Sequence, residues 1–250
     1  MDFKVIIPAR YNSKRLPGKL LLDVGGKPLL WHTYQVAKKS LAKEIIIATD
    51  DERIADTARS FGASVHITSS SHKSGTDRIA EVASISKWSD KDIIVNLQGD
   101  EPLLDSKLIN SVAEVLEKNL NAVTSTLASP LKSEQVFDEN VVKVVVNKEN
   151  SALYFSRAPI PWKRAKFDNS IPDNAGMLRH IGIYAYRAKF LKKYSELERP
   201  SVELSESLEQ LRILWSGEKI YVKILDNDPP KGVDTEEDYK ELLSIVPQLI

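Results

Sequence analysis

Short runs of β-branched residues that are apolar on both faces recur along the first half of this chain, separated by stretches with helical spacing. KVIIP at 4–8, EIIIA at 44–48 and DIIVNL at 92–97 have the pattern of strands covered on two sides, as in a parallel sheet. Between them, Leu29–Lys39 lines up Leu30, Tyr34 and Ala37 on one stripe, and Asp51–Phe61 lines up Ile54, Ala58 and Phe61. Thr76–Trp88 and Lys107–Leu120 continue the alternation. Strand, helix, strand, helix implies right-handed crossovers and an open, mostly parallel α/β sheet.

The pattern changes after about Asn121. Ala122–Leu127, Val141–Val146, His180–Arg187 and Lys219–Leu225 read as strands with fewer helices between them. Lys163–Arg179 is polar, holds Pro172 and Gly176, and reads as a long loop, either a lid or a partner arm. Leu204, Leu208, Leu211 and Trp215 recur at helical spacing, which predicts one helix over Glu203–Trp215. Asp234 or Thr235 can cap a last helix running to about Val246. With no internal repeat or clear linker, the 250 residues read as a single α/β domain whose second part elaborates the first.

Charge narrows the partners. Lys plus Arg and Asp plus Glu are both 35, and this zero balance argues against a general nucleic-acid binder. It does not exclude a local cationic pocket for one anionic small molecule. The absence of cysteine removes disulfides, thiolate metal sites and cysteine nucleophiles together. His32, His66 and His72 lack metal-ligand spacing, and no HExxH occurs, so zinc is not expected. The opening MDFKVIIPAR carries no secretory pattern and no run approaches a membrane span, so a soluble cytoplasmic protein is the expectation.

The segment PARYNSKRLPGK at 8–19 follows the first strand directly, where an open α/β sheet receives its ligands. It carries Arg10, Lys14, Arg15 and Lys19 with no acid among them, and Pro17 and Gly18 set its turn. Such a loop suits a polyphosphate; charge alone leaves a solvated basic turn equally open. It is neither a Walker loop nor a GxGxxG fingerprint.

Asp100 ends the strand of VNLQGD, with Gly99 allowing a tight bend, and a carboxylate at that edge near cations suits a Mg²⁺ ligand. For Asp234 in GVDT, residue preference alone favours a helix N-cap over a metal ligand. Asp50 and Asp51 read as caps of the following helix. Asp77 and Arg78 have either each other or a ligand as partners. Glu101 reads as a residue that shapes the turn before Pro102. Tyr154, Trp31, Trp162 and Trp215 read as core or interface. His180, taken alone, reads as a structural histidine.

These motifs, in order, resemble the 3-deoxy-manno-octulosonate cytidylyltransferases, the CMP-Kdo synthetases. After PARYxSxRLPGK come ATDD at 48–51, SGTDR at 74–78, VNLQGDEP at 95–102, YFSRAPIPW at 154–162, RHIGIYAYR at 179–187, LEQLR at 208–212 and GVDTEED at 232–238. Leu20 stands where the family commonly has proline, and the stretch Val202–Ser207 departs from the family's usual pattern in its first half, with Leu204 apolar where a polar residue is expected.

The resemblance implies a nucleotide-diphospho-sugar transferase-like fold, with 1–120 mainly for the nucleotide and 121–250 mainly for the sugar and dimerisation. It implies Mg²⁺-dependent transfer of CMP from CTP to Kdo for lipopolysaccharide assembly, in the cytoplasm and as a homodimer. It implies Arg10, Arg15 and Lys19 on the triphosphate and Ser74 and Gln98 on the nucleoside, and it turns Asp234 from a cap into the metal partner of Asp100. Arg157, His180, Tyr184, Glu209 and Gln210 are implied to line the pocket of the acidic sugar, Arg157 on its carboxylate. The same chemistry on an amino-substituted octulosonate or another acidic sugar, and a nucleotide-sensing module without turnover, are the competing readings.

Overall fold

The structure is a computed structural model, and it describes residues 1–13, 15–164 and 174–245. In chain order the strands are β1 (Phe3–Ala9), β2 (Asp23–Val24), β3 (Lys27–Pro28), β4 (Glu44–Thr49), β5 (Ser64–Ile67) and β6 (Ile93–Asn96). They continue as β7 (Thr124–Pro130), β8 (Lys143–Val146), β9 (Ala152–Ser156), β10 (Leu178–Arg187) and β11 (Ile220–Ile224). The helices are α1 (Leu29–Lys38), α2 (Glu52–Ser60), α3 (Gly75–Ile85), α4 (Ser106–Lys118), α5 (Ala188–Tyr194), α6 (Ser201–Glu206), α7 (Gln210–Trp215) and α8 (Glu236–Ile245). Among the described residues, no helix is long and apolar enough to cross a membrane.

The chain divides into two compact units. The first comprises Met1–Ser111, Arg187–Ser195 and Pro230–Ile250; the second comprises Val112–Tyr186 and Glu196–Pro229.

In the first unit the strands run β6-β1-β4-β5, all parallel, with Val5 opposite both Ile45 and Val95. Val5, Ile6, Ile7, Ile46, Ile47, Ile94 and Val95 are buried, which is why these strands carry apolar residues on both faces. The chain starts at β1, steps outward through α1 to β4 and through α2 to β5, then returns through α3 to β6 on the other side of β1. The strand order therefore reverses between β1 and β6, and in open α/β sheets ligands bind beyond the carboxyl ends of strands at such a point. Both the loop after β1 and the QGD turn after β6 leave from that point.

In the second unit β10 pairs antiparallel with β7 and β8, β8 pairs antiparallel with β9, and β11 lies parallel to β7. The register of β10 slips between Ile181 and Tyr184, a bulge that contains Gly182.

The helix predicted over Glu203–Trp215 is two helices. Ser207 adopts a left-handed backbone (φ 52°) and ends α6, and α7 begins only at Gln210. Leu208 and Leu211 of the apolar stripe are buried, whereas Leu204 and Trp215 are about two-thirds exposed. The periodicity was therefore partly accidental: only the central pair faces a core. Trp162 and Tyr154 are likewise exposed and Trp31 is half-buried, so these aromatics are not core residues. Most of the predicted loop 163–179 lies outside the described residues, as do Lys14 and the predicted helix end at Val246.

Candidate active site

Lys19 follows Gly18 and opens a single helical turn over Lys19–Leu21. Its side chain is almost fully buried. The ammonium donates to Asp100 Oδ2, to Asp234 Oδ1 at 2.9 Å and to the Val233 carbonyl at 3.0 Å. Arg15 reaches the other oxygen of Asp234, with Nη2 to Oδ2 at 2.9 Å. Burial works against the charge on Lys19, but Asp100 and Asp234 outweigh it, and the pKa lies above the usual lysine value.

Three segments meet here, and two glycines let them approach. A Cβ on Gly99 would lie 3.2 Å from Leu20 and 3.3 Å from the Pro8 carbonyl, so the QGD turn packs against the basic loop itself. A Cβ on Gly232 would lie 2.9 Å from the Glu101 carboxylate and 3.0 Å from the Asp100 carbonyl. That close approach lets Val233 N–H donate to the Asp100 carbonyl at 2.8 Å, which pins GVD beside QGD.

The cap of α8 falls to Thr235 and not to Asp234. Thr235 Oγ1 accepts from Asp238 N–H at 3.2 Å, and Asp238 Oδ2 accepts from the N–H groups of Asp234 and Thr235 at 2.9 and 2.8 Å. Burial raises the Asp238 carboxyl, but those hydrogen bonds prevail and hold it below the usual range. With capping done by its neighbours, Asp234 turns its carboxylate to Lys19 and Arg15, against the residue-preference reading.

The other nucleotide-side candidates lie in the same unit. Arg10 Nη1 donates to the Lys73 carbonyl at 2.9 Å, tying the basic loop to the segment before α3. Ser74 is buried and caps α3, its hydroxyl accepting from Asp77 N–H at 3.0 Å. Gln98 Nε2 reaches Asn96 Oδ1 at 3.4 Å, and its amide would lie 3.7 Å from a Cβ on Gly75. Asp51 caps α2 as predicted. Arg78, fully buried, pairs with Asp50 at 3.0 Å and with the Thr68 hydroxyl. Asp50 is thereby an ion-pair partner rather than a cap.

The sugar-side candidates fall in the second unit, which brings some of them together. His180 Nε2 lies 3.0 Å from Thr126 Oγ1, and its ring contacts those of Phe155 and Tyr184 at centroid distances of 5.0 and 5.3 Å. Although part of the residue still meets solvent, enclosure of the ring, with Arg179 adding to it, pushes the imidazole down to about 3. His180 is therefore neutral at physiological pH.

Arg157 is held by the main chain. Nε donates to the Glu206 carbonyl at 2.7 Å, Nη1 to the Glu139 carbonyl at 2.8 Å and Nη2 to the Ser207 carbonyl at 3.5 Å. Glu206 in turn accepts from Ser156 Oγ at 2.6 Å and from Arg157 N–H at 3.0 Å. Glu209 stands at the N-cap of α7 without a side-chain cap bond, and Gln210 is buried. A buried pair missed by the sequence reading clamps α6 to α7: Arg212 donates to Glu203 through Nε at 2.7 Å and Nη2 at 2.5 Å. Glu203 lies in the segment that departs from the familiar pattern, and no periodicity pointed to it.

The sequence profile described as cytidylyltransferase matches residues 4–220. The chain belongs to the cytidylyltransferase family, in its 3-deoxy-manno-octulosonate branch. The 3-deoxy-manno-octulosonate cytidylyltransferase of Photobacterium profundum is 48% identical, over 98% of this chain and 100% of its own length. That of Hahella chejuensis is 49% identical, over 98% of this chain and 97% of its own. Among solved structures, CMP:2-keto-3-deoxy-manno-octonic acid synthetase complexed with CTP superposes with a TM-score of 0.89 at 37% identity, covering 100% and 99% of the two chains. A cytidylyltransferase from Leptospira borgpetersenii shares the fold, with a TM-score of 0.64 at 20% identity. Membership of this family makes the chain a nucleotidyltransferase with the α/β fold expected from its sequence.

Proposed function

We propose that this enzyme transfers CMP from CTP to 3-deoxy-manno-octulosonate, giving CMP-Kdo and diphosphate. The observation that carries the reading is the meeting of Lys19, Asp100 and Asp234 at the point where the strand order reverses. The anomeric hydroxyl oxygen of the sugar attacks the α-phosphorus of CTP, the bond to the diphosphate oxygen breaks, and the hydroxyl proton is lost. Transfer of this kind asks mainly for in-line positioning and charge neutralisation. Lys19, Arg10 and Arg15 hold the triphosphate and balance the leaving diphosphate. Ser74 and Gln98 face the nucleoside.

The donor set fits magnesium. Two carboxylates from separate segments already converge on one cation, the Lys19 ammonium, and Mg²⁺ takes one or two carboxylates and fills its shell with phosphate and water. Asp100 and Asp234 would hold it, and when bound it neutralises phosphate charge and lowers the pKa of the sugar hydroxyl.

For the sugar we propose Arg157, His180, Tyr184, Glu209 and Gln210. Three main-chain carbonyls orient the Arg157 fork and leave it donor capacity for the sugar carboxylate. A neutral His180 serves as a hydrogen-bonding group and not as a cation. The assembly is proposed as a homodimer, in keeping with Phe137, Leu153, Trp162, Leu204 and Trp215 exposed on the second unit. Its place is proposed as the cytoplasm, in lipopolysaccharide synthesis.

A coupled diphosphate-release assay with CTP, Mg²⁺ and Kdo, run beside the amino-substituted analogue, tests the reading. Turnover with Kdo is the expected result. Turnover with the analogue alone reassigns the sugar, and CTP binding without any turnover replaces the enzyme with a nucleotide-sensing module.

A further inference from the structure

The loop that delivers Lys19 has little regular structure of its own, so something must fix its shape. Its turn closes on Tyr11: the Tyr11 carbonyl accepts from Ser13 N–H at 3.1 Å and from Gly18 N–H at 3.0 Å. The Tyr11 ring lies against the same turn. Gly18 has φ +67°, and a Cβ there would come within 3.3 Å of the ring's Cζ and hydroxyl, so backbone and ring are in close contact. The guanidinium of Arg53, from α2, sits over that ring with Cζ 3.3 Å from its centroid. Arg53 is itself fixed by the α2 cap residue: Nε donates to Asp51 Oδ1 at 3.0 Å and Nη2 to Asp51 Oδ2 at 2.6 Å. A continuous stack thus runs from Asp51 through Arg53 and Tyr11 to Gly18, the residue before Lys19.

We propose that Tyr11, backed by Arg53, is a positioning residue for the triphosphate: its ring is a template that sets the Gly18 turn and thereby aims the Lys19 ammonium. This rests on the reading of Lys19 as the phosphate ligand. The ring carries the role and the hydroxyl does not. Losing the ring lets the turn relax, and small misplacements of a positioning group have large kinetic effects. Losing Arg53 removes only the cation–π support.

The test is CTP binding by calorimetry, together with separate KM values for CTP and Kdo, on the full-length protein. Tyr11→Leu is expected to weaken CTP binding about tenfold or more while the KM for Kdo moves less than about twofold. Tyr11→Phe is expected to restore CTP binding to within about twofold, because the ring face is kept. Arg53→Met is expected to cost about threefold, and Arg59→Met, which removes an exposed charge from the same helix, much less. The proposal is overturned if Tyr11→Leu binds CTP normally or Tyr11→Phe is as impaired as Tyr11→Leu. It is equally overturned if Arg53→Met has no effect or Arg59→Met matches it. Should Tyr11→Leu fail to fold, the two arginine variants decide. Lys19→Met separates the two levels: normal CTP binding there removes the nucleotide reading itself, whereas weak binding there beside an unaffected Tyr11→Leu removes only the role of Tyr11.

Discussion

Lys19 in the first unit and Arg157 in the second are both cations surrounded by acceptors, but the acceptors differ in kind. Lys19 meets two carboxylates and one carbonyl. Arg157 meets three carbonyls, and the nearby Glu206 carboxylate is engaged by Ser156 and by the Arg157 main chain. Partners of the first kind are exchangeable. An ammonium held between carboxylates can pass to phosphate oxygens once those carboxylates acquire another cation, with little net change in charge pairing. Main-chain carbonyls offer no such exchange; they fix a guanidinium in one orientation. On the function proposed for it, the first unit would redistribute charge, and the second would present a fixed guanidinium.

That contrast breaks most severely where the second unit is clamped. Glu203→Gln leaves Arg212 buried without its carboxylate and should cost about 3–5 kcal/mol of stability, read by chemical denaturation. A loss below about 1 kcal/mol would mean that α6 and α7 are held by packing alone. Next comes the exchangeable side. Lys19→Met should lower kcat/KM for CTP by about 10²–10³-fold, the usual cost of losing one charge-stabilising donor. Equal damage to kcat/KM for CTP from Arg157→Met would erase the distinction between the units.

A smaller effect follows from His180. Its pKa of about 3 in the folded chain lies below the value near 6.5 for an unfolded histidine, so between those pH values the unfolded state binds the extra proton. Stability on this account is fully present above about pH 6.5 and falls as the pH drops, by at most about 2 kcal/mol at pH 5. Denaturation of His180→Gln at pH 7 and pH 5 should show that part of the slope gone. The smallest effect is a gain: Ser207→Gly relieves a left-handed serine and should add about 0.5–1 kcal/mol, seen as a raised melting temperature.

The same division explains what could be read from the chain. Strands β1, β4 and β6 were legible because both faces are buried, so apolar residues run on without interruption. Strand β5 was not, because SVHI lies at the end of the strand order with its side chains half-exposed or exposed. The basic loop and Asp100 were legible because each follows its strand directly. Asp234 was ambiguous, since Asp suits a cap as well as a metal, and the Thr235–Asp238 capping pair removes only the cap. The split of the predicted helix at Ser207 was hidden because left-handed serine has no signature and the apolar spacing continues across it. Arg157 was singled out by the resemblance alone, and its geometry could not be read because its partners are carbonyls that every residue possesses.

The Asp100–Lys19–Asp234 cluster is tested most directly by electron paramagnetic resonance of Mn²⁺ titrated into the protein with CTP. The parent protein should hold the ion in a complex with protein and nucleotide, and Asp100→Asn and Asp234→Asn should each weaken it by about tenfold or more. Mn²⁺ held equally well by both variants would show that these carboxylates are not the metal's ligands, and the reading of the site would fall.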